Sequence, residues 1–276
     1  MSSWMLKSQR PPIKKKIPPT TLVITHNSGF FSCCSVRLEK IIEYFNQNKK
    51  IPLIVDSSAQ FDWYKPPRTH KASIVDTYFT IDPSGIEFKK LIMYEHTYQF
   101  LNYKTIDYTS IQPFILKYFN PSNEIQEIVN KIETKYSLDY KNLCVLFYRG
   151  NDKITETELS SYNEYILRAK ELQQQNPSIQ FLLQSDETEF FETLFKEFPK
   201  SIWFKDEIRH IKKENTTVDK VFKDDNYEFS KYFLAITLIM AKCKYIVCGS
   251  GNCSIWIAFY RGNAEGMYQH LHDKWI

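Results

Sequence analysis

The strongest constraint on this chain is an alternation that begins at Leu143 and continues almost to the C-terminus. Short runs at Leu143–Tyr148, Ile179–Leu183, Ser201–Phe204 and Lys244–Cys248 take turns with longer segments whose apolar residues recur at helical spacing. Those longer segments are Tyr162–Gln174, Thr188–Phe195, Glu228–Ala241 and Cys253–Tyr260. Runs so short and so continuously apolar read as strands buried on both faces. Strands alternating with helices build a parallel sheet layered between helices.

The first half carries a smaller version of the same pattern. Thr21–Thr25 and Pro52–Val55 read as strands, and Val36, Ile41, Ile42 and Phe45 recur at helical spacing between them. Leu91–Tyr94 reads as a further strand. Pro121-Ser122 opens a helix to about Tyr136, with Ile125, Val129 and Ile132 on one face, and Ser137–Asn142 forms a linker. The expected fold class is α/β, as two Rossmann-like domains facing a cleft, with boundaries at 20–120 and 121–276.

Residues 1–19 read differently. Pro11, Pro12, Pro18 and Pro19 and the cluster Lys7, Arg10, Lys14, Lys15 and Lys16 predict a solvated, disordered tail. The net charge is +4, and those five cations leave the remainder of the chain at −1. The body therefore lacks the broad basic face that tracks a phosphate backbone, and no nucleic acid is expected as a partner. No run reaches the ~18–20 apolar residues that span a bilayer, and the opening residues lack a signal peptide's apolar core. Cys33, Cys34, Cys144, Cys243, Cys248 and Cys253 show no paired C-x-x-C spacing, so no zinc site is expected. They read as reduced thiols in a cytoplasmic protein.

In parallel α/β sheets ligands sit beyond the carboxyl ends of the strands. The segments just past the strand ends are polar here: His26-Asn27-Ser28-Gly29, Asp56-Ser57-Ser58, Arg149-Gly150-Asn151-Asp152-Lys153, Ser185-Asp186-Glu187, Lys205-Asp206-Glu207 and Gly249-Ser250-Gly251-Asn252. Arg149 offers a planar, permanently charged fork suited to phosphate oxygens. Gly150 lets backbone approach a ligand closely, while Asp152 and Lys153 add a carboxylate and a point charge. Such a loop reads equally as a surface turn with a local ion pair. Gly249-Ser250-Gly251-Asn252-Cys253-Ser254 joins a strand to a helix, where free amides suit an anion. It is neither the dinucleotide fingerprint nor a Walker loop, and a plain helix cap also explains it.

Three of these segments together resemble one family. Val145-Leu-Phe-Tyr-Arg-Gly-Asn-Asp-Lys153, Phe181-Leu-Leu-Gln-Ser-Asp186 and the stretch from Ala241 through Ser254 to Ala258 resemble, in order and spacing, the motifs of the alpha-1,6-fucosyltransferases and the nodulation fucosyltransferases. Asn27–Ser32, with the helix after it and Val55-Asp56, is similar to that family's acceptor-side opening. The resemblance implies a GT-B fold and an inverting, metal-independent enzyme without a cofactor. That enzyme moves fucose from a GDP-sugar to a glycan acceptor, and the missing membrane anchor suggests a bacterial or viral source. It implies that Arg149, with Gly150, Asn151 and Lys153, holds the diphosphate, that Asp186 bonds the base, and that Ser250, Gly251, Asn252 and Cys253 meet the phosphates. This chain has Gly150 where the family often has a second arginine, and Phe147 where it often has a histidine. The second departure leaves the base of the donor open, so another nucleotide sugar, or an inactive nucleotide- or glycan-binding module, stays an alternative.

Inverting transfer needs a base for the acceptor hydroxyl. Glu156 and Glu158 flank the position at which the family carries its glutamate, and Asp152 is a third candidate. A solvated acid at a helix start explains each glutamate equally. On the acceptor side the candidates are His26, Asn27 and Gly29.

Overall fold

Thr21–Val23 (β1) and Ile54–Asp56 (β2) pair in parallel across the intervening helix Phe30–Asn48 (α1), the expected first unit. A computed structural model describes residues 20–66 and 72–276; the expected tail at residues 1–19 lies outside the described residues. After β2 come a short helix Val75–Tyr78 (α2), strand Phe79–Thr80 (β3), helix Tyr108–Tyr118 (α3) and strand Asn120–Pro121 (β4), which pairs antiparallel with β3. Three 3-10 turns, at Asp62–Tyr64, His96–Phe100 and Tyr103–Thr105, fill the rest of this half.

The second half runs Asn123–Tyr136 (α4), Leu143–Tyr148 (β5), Tyr162–Gln175 (α5), Gln180–Ser185 (β6) and Thr188–Glu197 (α6). It continues through Val218–Val221 (α7), Asn226–Lys242 (α8), Tyr245–Gly249 (β7), Asn252–Arg261 (α9), Met267–Leu271 (β8) and Lys274–Trp275 (β9). The sheet order is β6-β5-β7-β8-β9, parallel except for the antiparallel last pair. The architecture is thus mixed α/β and Rossmann-like. Helix starts obey local chemistry: Ser122 caps α4 through the Ile125 amide, and Ser161 with Glu164 closes a capping box on α5.

Strand β5 is buried at every position, as its apolar run requires. Val145 and Phe147 face one apolar cluster, while Cys144, Leu146 and Tyr148 face another beneath α5 and α6. The first cluster does not stop at the sheet. It runs on through α8 and α9 into α1 and α3. Trp256 lies fully buried inside it, its ring 4.7 Å from that of Phe119 and its indole N–H donating to Ser35 Oγ at 2.9 Å.

Two expected strands take other forms. Leu91–Tyr94 alternates exposed and buried as a strand would, but the side chain of Asn46 takes the place of a partner strand. Its amide donates to Ile92 O at 2.9 Å and accepts from Ile92 N at 3.0 Å. Ser201–Phe204 contributes a single parallel bridge, Ile202 with Leu182. The alternation also gives no hint of β8. That strand buries Gln269 and His270, so it has no continuous apolar run.

Candidate functional site

Arg149 leaves the carboxyl end of β5, which lies between β6 and β7 in the sheet. Its Nε donates to Asp186 Oδ2 at 2.9 Å, and its terminal NH2 lies 3.4 Å from Asp152 Oδ1. The other Asp186 oxygen accepts the Gly150 amide at 3.0 Å, so both oxygens of that buried carboxylate hold the β5 loop. Glu187 continues the clamp. It accepts the Asn151 amide at 2.6 Å and the Tyr162 hydroxyl. Asn151 closes the loop by donating to Asp186 O at 2.8 Å.

The space beside Gly150 is thereby filled from within the protein. A Cβ there would lie 1.9 Å from Glu187 Oε1. Burial alone would lower the Arg149 pKa; the Asp186 and Asp152 carboxylates outweigh it and raise the net value, so the guanidinium is a cation at every working pH. About a quarter of the side chain is open, and that part faces a cleft of about 640 Å³.

The β7–α9 turn, at the end of the neighbouring strand, also lines the cleft. Gly251, with φ 155° and ψ 170°, takes a backbone region essentially reserved for glycine. The first-turn amides of α9 have no partner within the helix, and the turn from Gly249 to Ser254 lines the cleft. Its side chains are engaged elsewhere. Ser250 Oγ donates to His270 O at 2.8 Å and accepts from Gln269 Nε2 at 2.9 Å. Asn252 Oδ1 accepts from Ser35 Oγ at 2.7 Å, and the Cys253 thiol, pushed up to about 12 by burial, lies 3.6 Å from Thr237 Oγ1. What the turn offers a ligand is therefore backbone N–H and the positive end of a helix dipole.

Tyr103 holds that turn from outside. Its hydroxyl accepts the Gly251 amide at 3.1 Å and lies 3.0 and 3.2 Å from the carbonyls of Gln99 and Gly251. Tyr103→Phe leaves a buried amide unpaired. It is expected to destabilise the protein by about 1–3 kcal/mol in urea unfolding; an unchanged midpoint at unchanged slope would count against this role for the hydroxyl.

Of the remaining sequence candidates, Lys153 lines the cleft and pairs with Glu156 at 2.6 Å and with Asp152 at 3.3 Å. Glu158 is exposed and outside the cleft lining. Gly29 lines the cleft as the cap of α1. His26 and Asn27 stand behind it. His26 Nε2 lies 3.0 Å from Ser32 Oγ, and the Asn27 amide donates to Asp62 Oδ2 at 3.1 Å. Burial first, then the neighbouring His96, lowers the His26 pKa against the pull of Glu39.

Three residues escaped the sequence reading. Asp219, on α7, lines the cleft, and its Oδ2 accepts the Tyr64 hydroxyl at 3.1 Å. Gln184 faces a small apolar pocket of about 50 Å³ that opens beside Arg149 under α8, among Phe147, Phe233, Ile236 and Met240. Its buried Nε2 has no hydrogen-bond partner among the described residues. Asp219 and Tyr64 line that pocket as well. The sequence signal for Asp219 was present but faint: Thr217 caps α7 through the Lys220 amide at 3.2 Å. It sits in a stretch of mixed Lys, Glu and Asp that reads as solvated loop.

Among the described residues no group of three or more His, Cys, Asp or Glu is placed to hold a metal ion, and no helix is long and apolar enough to cross a membrane. No family model matches the sequence, and no curated protein matches it. Among solved structures the chain is similar to a NodZ alpha-1,6-fucosyltransferase soaked with GDP-fucose, with 8% identity and a TM-score of 0.35. The match covers 55% of this chain and 46% of that one, so it spans less than half of the neighbour's length.

Proposed function

We propose that this chain transfers a sugar from a nucleoside diphosphate sugar to a glycan acceptor, by inversion and without a metal. The donor half is residues 121–276 and the acceptor half residues 20–120. One observation carries the reading: a permanently charged arginine, fixed by Asp186, lines the same cleft of about 640 Å³ as the amide end of α9, from the neighbouring strand end. A bidentate cation and aligned N–H groups lining one cleft suit a diphosphate that gains charge as it leaves. The apolar side chains around the small pocket beside Arg149 would pack against one edge of the flat base, and the Gln184 N–H, unpartnered among the described residues, would donate to a ring carbonyl.

GDP-fucose is the first donor to try, since the motif resemblance points to it. A second reading changes the base. Phe147 and Gln184 line the pocket, and the donor that Gln184 supplies suits the carbonyl of guanine, uracil or thymine alike. A thermal-shift panel of GDP, UDP and dTDP separates these. A ligand at one hundred times its dissociation constant adds about 2.7 kcal/mol of stability. Stabilisation by GDP above the others is expected. Stabilisation by UDP alone would reject the fucose reading, and no response to any nucleotide would reject the enzyme class.

A further inference from the structure

The carboxylates lining the cleft, among the described residues, are Asp152, Glu156 and Asp219. Asp152 lies between two cations, 3.4 Å from Arg149 and 3.3 Å from Lys153. Glu156 is held by Lys153 at 2.6 Å. Asp219 makes no ion pair among the described residues. Among the described residues it accepts one hydrogen bond, from Tyr64, on Oδ2, and its Oδ1 accepts none.

The Tyr64 hydroxyl has one proton. Its oxygen accepts the Phe30 amide at 2.8 Å, so the proton is directed to Asp219. Phe30 begins α1, on the acceptor half, and Asp219 belongs to the donor half. This relay fixes one carboxylate oxygen at the junction of the two halves and leaves the other without a hydrogen bond among the described residues, on a side chain that lines the cleft with Arg149. We propose, building on the transfer reading above, that Asp219 is the general base that removes the acceptor's proton.

The step balances. The acceptor O–H proton passes to Asp219 Oδ1 while the acceptor oxygen bonds the anomeric carbon. The bond from that carbon to the diphosphate oxygen breaks, and its electron pair leaves on the diphosphate, toward Arg149 and the α9 amides. Burial raises the Asp219 pKa; Arg149, the Tyr64 hydrogen bond and Arg209 oppose the rise, and Asp152 adds to it. Lys220, its chain neighbour, lines the same cleft. A carboxylate raised in this way is a stronger proton acceptor than a solvated one.

The test is Asp219→Asn, which keeps the shape and can still accept from Tyr64. The readouts are the dissociation constant for GDP and the release of GDP from GDP-fucose, with water and then with azide as acceptor. Azide has no proton to lose. The expected result is a GDP affinity within about threefold of wild type, a fall of about 100-fold or more in release with water, and restoration by azide. Unimpaired release with water would overturn the assignment. So would a loss that azide does not restore while GDP still binds, since that pattern belongs to a residue that only positions others. If the wild-type protein binds UDP or dTDP and not GDP, the same measurements are made with the UDP- or dTDP-sugar; if it binds no nucleotide, the transfer reading fails, and the Asp219 assignment fails with it. That outcome is visible before any substitution is made.

Discussion

For the transfer proposed above, Arg149→Lys is expected to keep the fold and lower turnover by about 100- to 1,000-fold, because a point charge replaces the planar fork proposed to meet developing phosphate charge. The alanine variant is a poorer experiment. Arg149 is the cation beside a carboxylate, Asp186, whose side chain is only 5% exposed. Removing one partner of such a pair costs on the order of 3 kcal/mol, so lost activity in Arg149→Ala would mix binding with stability. In the lysine variant the charge stays, and the Gly150 amide still serves Asp186. Calorimetric titration with GDP, beside a urea melt, separates the two effects. Wild-type GDP affinity in Arg149→Lys would remove Arg149 from the set of phosphate ligands.

Gly150→Ala should be the most damaging small substitution in the site. The new Cβ would fall 1.9 Å from Glu187 Oε1 and 2.2 Å from its Cδ. That carboxylate is not a loose side-chain end. Glu187 is fully buried and holds the Asn151 amide at 2.6 Å and the Tyr162 hydroxyl. Moving it leaves a buried amide without a partner, in addition to the overpacking. The sum is about 3–4 kcal/mol, or a fall of roughly 5–7 °C in melting temperature for a chain of this size. A double variant with Glu187→Ala should recover part of the loss, because the two positions act on one contact. A Gly150→Ala melt within two degrees or so of wild type would show that the loop rearranges at little cost.

The two substitutions show where the sequence was legible. Strands β5, β6 and β7 and helices α8 and α9 could be read because burial on both faces, or on one helical stripe, leaves a periodic apolar record. The loop ends could be read because strand direction in a parallel sheet fixes where they point. Long-range side-chain substitution for backbone left no such record. Asn46 serving as the partner of Ile92, and Gln269 binding Leu101 O, Ser250 Oγ and the Tyr103 amide, are contacts between residues far apart in the chain. Gly150 is a case of its own. Its sequence neighbourhood suggests room for a ligand, while the room is taken by Glu187, thirty-odd positions later. Asp219 was hidden by its setting, since only the fold carries that charged stretch over the cleft.

The six cysteines are buried, and burial raises the pKa of every one of their thiols. Thiolate-seeking reagents therefore meet almost no reactive form of any of them in the folded chain. The positions are spread: Cys33 and Cys34 on α1, Cys144 on β5, Cys243 and Cys248 around β7, and Cys253 on α9. Five share the cluster that joins the two halves, and Cys144 alone belongs to the cluster beneath α5 and α6. The molecule thus contains a native gauge of its own opening, with one mark set apart from the rest. Modified together, the thiols would report one cooperative unit; modified in two waves, with Cys144 out of step, they would time the separate loosening of the sheet's two faces.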